Sequence, residues 1–213
     1  YCPLLPGHGT SPEKLSVVRW YEWIESLHDS MELLKESCNK IYIIGTSFGG
    51  NLTLCIADKY KETTGIVVLG TPINFKREKL GKAVFLILKS IKLFQRKYYP
   101  KSYRENPYLR EHFSYSHVPL KSLTQVLKVI DESKRNLKNI KCPTLIINSE
   151  VDELVDKKSP QIIFNNIKSK FKKIFWVPES YHVVLADKNK QLVMNEIYKF
   201  IKKTKNLKPQ VVR

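Results

Sequence analysis

Residues Lys40–Leu54 read KIYIIGTSFGGNLTL. The run Ile41–Ile44 is short, continuous and apolar, which suits a strand buried on both faces. It leads into Gly-Thr-Ser-Phe-Gly-Gly, and a helix-like segment follows. A serine between two glycines at a strand end has two readings. One is a turn that merely needs small residues. The other is a serine held up as a nucleophile. The pattern Gly-x-Ser-x-Gly alone is weak: at ~7% usage of Gly and Ser, roughly one chain of this length in fifteen carries it by chance. Context sharpens it, because the pattern must follow a strand and open a helix, as it does here. Such a turn strains the serine backbone and lifts its hydroxyl clear of the sheet edge. Gly45 and Gly49 are both expected to let neighbouring backbone pass close by. The helix then points its positive end at the site, and the Phe48 N–H faces a developing oxyanion.

Working outward, buried strands alternate with helices. Ser11-Pro12-Glu13 reads as an N-cap, a first-turn proline and an acidic residue. Val17, Trp20, Tyr21, Ile24, Leu27, Met31 and Leu34 recur at steps of three and four, predicting an amphipathic helix that ends near Cys38. Asn51–Tyr60 reads as a helix and Ile66–Leu69 as the next buried strand. The alternation resumes with strand Thr144–Ile147, helix Pro160–Ile167, strand Ile174–Val177 and a last helix marked by Leu192, Val193, Ile197, Phe200 and Ile201. This pattern predicts an α/β fold, a mostly parallel sheet flanked by helices. Between its halves lies a lysine-rich, mostly helical stretch with turns near Tyr99-Pro100 and Asn106-Pro107. The expected organisation is a core of residues 1–73 and 141–204, a helical cap of 74–140 and a tail of 205–213.

A serine hydroxyl needs a base, and the base needs an acid to orient it. In this architecture the chain order is serine, acid, histidine. His8 and His28 precede Ser47. His112 and His117 fall in the expected cap. His182 falls between the last strand and the last helix, where the base belongs. The acid should follow the strand Thr144–Ile147, in TLIINSEVDELV. Asp152 fits, with Glu150, Glu153 and Asp156 as competitors that read as surface charges at a loop or helix N-terminus.

Four stretches carry a family resemblance: PLLPGHGTSPEKL, IIGTSFGGNLTL, KCPTLIINSEVDELVDKKSPQIIFNNI and ESYHVVLADKNKQ. Together they resemble α/β-hydrolases of the bacterial carboxylesterase and monoacylglycerol lipase type. The resemblance implies Ser47 as nucleophile, Asp152 as orienting acid and His182 as general base, and gives His8 a structural place in the Pro6–Gly9 turn. It implies ester hydrolysis through an acyl-enzyme, a small-molecule ester or monoacylglyceride substrate, and no metal or organic cofactor. The same triad also serves thioesterases, acyltransferases and peptidases. Two departures stand out. The second oxyanion donor of such enzymes lies in a His-Gly loop that would precede Tyr1. A non-catalytic fragment or a binding protein is the alternative if that loop is lacking. Monoacylglycerol lipases of this type carry an acidic residue after a cap tyrosine, and Tyr115 is followed by Ser116. The stripe Val84, Phe85, Ile87, Leu88, Ile91 and Phe94 reads as cap core, or in part as the lining of an acyl-chain tunnel.

The chain begins at Tyr1, and Tyr1–Leu5 reads as a strand end, so it is expected to be the C-terminal part of a longer protein. Its 213 residues carry a net charge of +17. No aromatic-basic motif or zinc-finger spacing accompanies that charge, so the lysines read as compositional bias, with no nucleic-acid partner. Lys76, Lys79, Lys82, Lys89, Lys92 and Lys97 leave a weak membrane-surface contact open. The longest apolar run, Ala83–Leu88, is far short of a membrane span. Cys2, Cys38, Cys55 and Cys142 lack C-x-x-C or zinc spacing, which predicts a reduced, cytoplasmic setting. No feature assigns an oligomeric state.

Overall fold

The computed structural model describes residues 1–74, 93–97 and 114–207. In chain order the elements are α1 (Pro12–Val17), α2 (Trp20–Lys35), β1 (Ile41–Thr46), α3 (Phe48–Ile56), β2 (Thr63–Leu69), β3 (Phe94–Arg96), β4 (His117–Pro119), α4 (Leu120–Asn136), β5 (Thr144–Ser149), α5 (Lys158–Asn166), β6 (Lys172–Val177) and α6 (Lys190–Thr204). Among the described residues the main sheet has the order β1-β2-β5-β6, and every pairing in it is parallel.

Burial on both faces explains the uninterrupted apolar runs of β2 and β5, but not that of β1: Ile41–Ile44, expected to be buried on both faces, lies on the outermost strand among the described residues, and Ile44 is exposed. All seven residues of β2 are buried. Ile66 and Val68 pack on one face with Leu54 of α3, Ile146 of β5 and Ile163 of α5. Val67 and Leu69 pack on the other with Val193, Ile197 and Phe200 of α6. No position on such a strand meets water, so polar alternation has no place in it. A third cluster joins Trp23 and Met31 of α2 to Leu52 and Ile56 of α3 and Val129 of α4. The sheet is therefore wedged between α6 and the layer of α3 and α5, with α2 and α4 braced on α3. This fixes the C-terminal ends of β1, β2, β5 and β6 relative to one another, and the site is built there.

Several boundaries differ from the sequence-based expectation. The single helix expected up to about Cys38 is two helices. Val18 and Arg19 are extended (ψ 137° and 151°), which turns Val18 into the core while Val17 stays exposed. The Arg19 N–H donates to the Glu22 carboxylate, which opens α2 afresh. Ser11 caps α1 as expected, accepting from the Lys14 N–H at 3.3 Å. Residues 1–5, expected as a strand end, pair with no strand among the described residues. The helix expected from Asn51 begins at Phe48, directly after the serine. β2 also starts earlier than expected because Thr63 and Thr64 are buried with the apolar run.

Within the stretch read as mostly helical, β3 and β4 form a two-stranded antiparallel ribbon. Strands of three residues paired over such a distance leave no periodicity to read. The apolar stripe from Val84 to Ile91, the turns at Tyr99-Pro100 and Asn106-Pro107, and His112 lie outside the described residues. Tyr115 fastens the returning chain. Its hydroxyl donates to the Gly7 carbonyl at 2.9 Å and accepts from the Thr10 N–H at 2.7 Å.

Candidate active site

Ser47 stands between β1 and α3 with φ 51° and ψ −119°. A residue with a Cβ pays about 1–3 kcal/mol for such a conformation, so its surroundings must hold it there. The Ser47 N–H donates to the Leu69 carbonyl at 2.6 Å, and its own carbonyl accepts from the Gly50 N–H at 3.0 Å. A Cβ on Gly45 would lie 2.2 Å from the Gly49 carbonyl oxygen. Gly49, expected to play the same part, faces open space. The second close approach is at Gly50 instead, where a Cβ would lie 1.9 Å from Thr71 Oγ1. Phe48 is the first residue of α3, so its N–H is one of the donors that helix geometry leaves without an intrahelical acceptor. Its ring lies edge-on to Trp23 at 5.1 Å. Trp23 in turn donates to the Pro6 carbonyl at 3.0 Å, so the Pro6–Gly9 turn supports the elbow from behind. His8 sits against Trp23 there, with its Nδ1 3.3 Å from the Pro6 carbonyl oxygen.

The other two residues arrive from the ends of β5 and β6. His182 Nε2 lies 2.9 Å from Ser47 Oγ. His182 Nδ1 lies 2.8 Å from Asp152 Oδ2. An ionised carboxylate only accepts, so Nδ1 carries the proton and Nε2 is left to accept from the Ser47 hydroxyl. Asp152 Oδ1 accepts from the N–H groups of Leu154 and Val155, both at 2.9 Å. Asp152 is fully buried and His182 nearly so. Burial pushes the Asp152 carboxyl up; its bond to His182, the charge there and the two N–H donors outweigh that, and the net value lies below the ordinary aspartate range.

Two of the competing acids go elsewhere, while Glu153 is half-buried. Glu150 is exposed, and Asp156 accepts from the Lys158 N–H at the start of α5. His28 meets the Tyr60 hydroxyl and His117 the Ser116 hydroxyl, both away from Ser47. Burial pushes the thiols of Cys55 and Cys142 up to about 12, so neither is a thiolate near neutral pH. Among the described residues no three His, Cys, Asp or Glu side chains group as metal ligands. Asp187 is a site residue that sequence reasoning missed. Its buried carboxylate accepts from the Tyr181 and Lys188 N–H groups and braces the His182 loop. No spacing rule marks an acid five residues after the base.

The profile of the Hydrolase_4 family, described as serine aminopeptidase S33, matches residues 5–189. The chain belongs to this family. A thermostable monoacylglycerol lipase of Bacillus sp. (strain H-257) is 30% identical over 205 residues, covering 94% of this chain and 78% of the lipase. A carboxylesterase of Bacillus subtilis (strain 168) is 28% identical, covering 95% of this chain and 80% of the esterase. A solved structure from work on LipS and LipT, two metagenome-derived lipolytic enzymes, matches with a TM-score of 0.81 at 26% identity, covering 94% of this chain and 80% of that one. A soluble variant of monoglyceride lipase from Saccharomyces cerevisiae shares the fold with a TM-score of 0.75 at 17% identity, covering 93% of this chain and 75% of that one. The fold of this chain is that of an α/β-hydrolase.

Proposed function

We propose that this chain hydrolyses carboxylic esters through an acyl-enzyme on Ser47, with His182 as general base and Asp152 as the acid that orients it. The observation that carries the proposal is the hydrogen-bonded run from Asp152 through His182 to Ser47, with 2.8 Å and 2.9 Å between its members, ending on a serine held at φ 51°. His182 Nε2 takes the Ser47 proton as Oγ bonds to the ester carbonyl carbon. The Phe48 N–H stabilises the resulting oxyanion. Collapse breaks the carbonyl carbon–alkoxy bond, and the alcohol leaves with the proton from His182. Water then attacks the acyl-enzyme, His182 accepts its proton, and the acid is released with the Ser47 hydroxyl restored.

The relatives named monoacylglycerol lipase and carboxylesterase support an ester substrate over an amide. Ser116, at the place where an acidic residue is expected for glycerol, favours a general ester over a monoglyceride. The family description, serine aminopeptidase, supports peptide hydrolysis as the second reading. The proposal keeps residues 74–140 as a cap, whose last helix, α4, is braced on α3. It also keeps a weak membrane-surface contact. Among the described residues no helix is long and apolar enough to cross a membrane. The proposal keeps the reduced, cytoplasmic setting that the cysteine spacing suggests.

The test is labelling with a fluorophosphonate probe, beside turnover of p-nitrophenyl esters and an aminoacyl p-nitroanilide. Wild type should label and cleave the esters, and Ser47→Ala should do neither. Labelling that persists in Ser47→Ala would refute the nucleophile assignment. Faster anilide than ester turnover would favour the peptidase.

A further inference from the structure

Ser149, the last residue of β5, has a fully buried side chain. Its hydroxyl donates to the Ser180 carbonyl. It also accepts from the Val151 N–H at 3.0 Å. Val151 immediately precedes Asp152, and Ser180 stands two residues before His182. One hydroxyl thus bonds to the loop carrying the acid and to the loop carrying the base. Its roles are fixed by chemistry: an N–H can only donate and a carbonyl can only accept, so the single hydroxyl proton must go to Ser180.

The far side of that contact is itself held. Ser180 is buried, and its hydroxyl accepts from Asn189 Nδ2 at 3.1 Å. The same amide donates to the Pro178 carbonyl at 2.7 Å. Glu179 sits at φ 47°, in the left-handed region, so the chain turns sharply just before Ser180. Of the charged groups here, Asp152 is the one bonded to the His182 ring, Asp187 holds the Tyr181 and Lys188 N–H groups, and Glu179 pairs with Lys188 on the surface. The loop behind His182 is therefore fastened to itself, and Ser149 fastens it to the acid loop.

We infer that Ser149 is a positioning residue: its buried hydroxyl ties the Asp152 loop to the His182 loop and so sets the register of the acid against the base. A hydroxyl with no such task would be a costly side chain to place at a strand end without water. The inference rests on the serine-hydrolase reading above, but its test does not depend on turnover.

The test compares wild type with Ser149→Ala, which removes the hydroxyl alone, and Ser149→Thr, which keeps it. The first readout, taken without substrate, is the downfield proton resonance of His182 Nδ1–H, which reports its bond to Asp152. The second is kcat per probe-labelled site, beside KM. In Ser149→Ala the resonance should shift or broaden and kcat per site should fall about tenfold, the loss of roughly one hydrogen bond from the oriented base, with KM little changed. Ser149→Thr should regain both. A wild-type resonance and rate in Ser149→Ala would overturn the inference, and so would a threonine variant as impaired as the alanine one. Counting labelled sites removes any loss of folded protein from the rate. A wild type that fails to label at Ser47 would refute the hydrolase reading alone. An unchanged resonance would refute the tie alone.

Discussion

Replacing Asp152 by asparagine should be more damaging than its near-identical shape implies. Asp152 Oδ1 accepts two backbone N–H groups, from Leu154 and Val155, while Oδ2 faces His182 Nδ1. An asparagine here has one oxygen and one NH2 to distribute. With the oxygen kept on the two N–H groups, the NH2 faces His182 Nδ1 and forces that nitrogen to accept. The ring proton then moves to Nε2, which can no longer take a proton from Ser47. Turning the amide over would leave both N–H groups without an acceptor, at about 1–3 kcal/mol each, or roughly 2–6 kcal/mol together. At 1.36 kcal/mol per tenfold, the competent arrangement becomes roughly thirtyfold to twenty-five-thousandfold scarcer. Asp152→Ala imposes no tautomer and opens room for water to reach Leu154 and Val155. The expectation is therefore that Asp152→Asn loses as much kcat as Asp152→Ala, or more. The assay is ester turnover per probe-labelled site, beside a urea melt. An asparagine variant that folds like wild type and keeps more activity than Asp152→Ala would refute the tautomer argument.

Two further outcomes concern stability. Gly45→Ala should destabilise by about 1–3 kcal/mol, since its Cβ would lie 2.2 Å from the Gly49 carbonyl oxygen and 2.4 Å from Thr53 Oγ1. Gly49→Ala meets nothing within 4 Å, on a helix where alanine outranks glycine by up to about 1 kcal/mol, so it should be neutral or stabilising. Urea unfolding of both variants checks this, and a Gly49→Ala less stable than Gly45→Ala would contradict it. The Asp152 carboxyl lies below its ordinary value in the fold. Its ionised form therefore stabilises the native state above the unfolded pKa of about 3.9, and this contribution is lost as pH falls through the lower, folded value. The stability gap between wild type and Asp152→Asn should be constant at neutral pH and close in acid. A gap that persists unchanged as the carboxyl protonates would refute that sign.

The parts of the fold legible in the sequence are those whose cause is local or periodic. β2 and β5 are buried throughout, and the apolar runs Ile66–Leu69 and Leu145–Ile147 are legible because clusters press on both faces and that burial writes itself into consecutive letters. The break between α1 and α2 was not legible, because Val17 and Val18 are the same residue type. Only the tertiary packing decides that one is exposed and the other buried. The ribbon of β3 and β4 joins segments too short and too far apart to leave a period.

The candidate site divides along the same line. The order of strands along the chain ranks Ser47 and His182 as candidates and places the acid after β5, and the family resemblance singles out Asp152 among its acidic neighbours. The strand-order rule carries over the 135-position separation of Ser47 and His182, which no pattern of neighbouring residues spans. Gly50, Asp187 and Ser149 escaped it. Each acts by touching something that sequence does not place beside it: Thr71 for Gly50, the Tyr181 N–H for Asp187, the Ser180 carbonyl for Ser149. A strand order locates reacting groups to within a loop. The hydrogen bond from Ser47 to His182 needs a placement finer than a loop allows, and these unmarked contacts supply it. For Asp187 and Ser149 the cost of substitution should therefore appear in the rate before it appears in the fold, whereas at Gly50, where a Cβ would lie 1.9 Å from Thr71 Oγ1, it should appear in the fold as well.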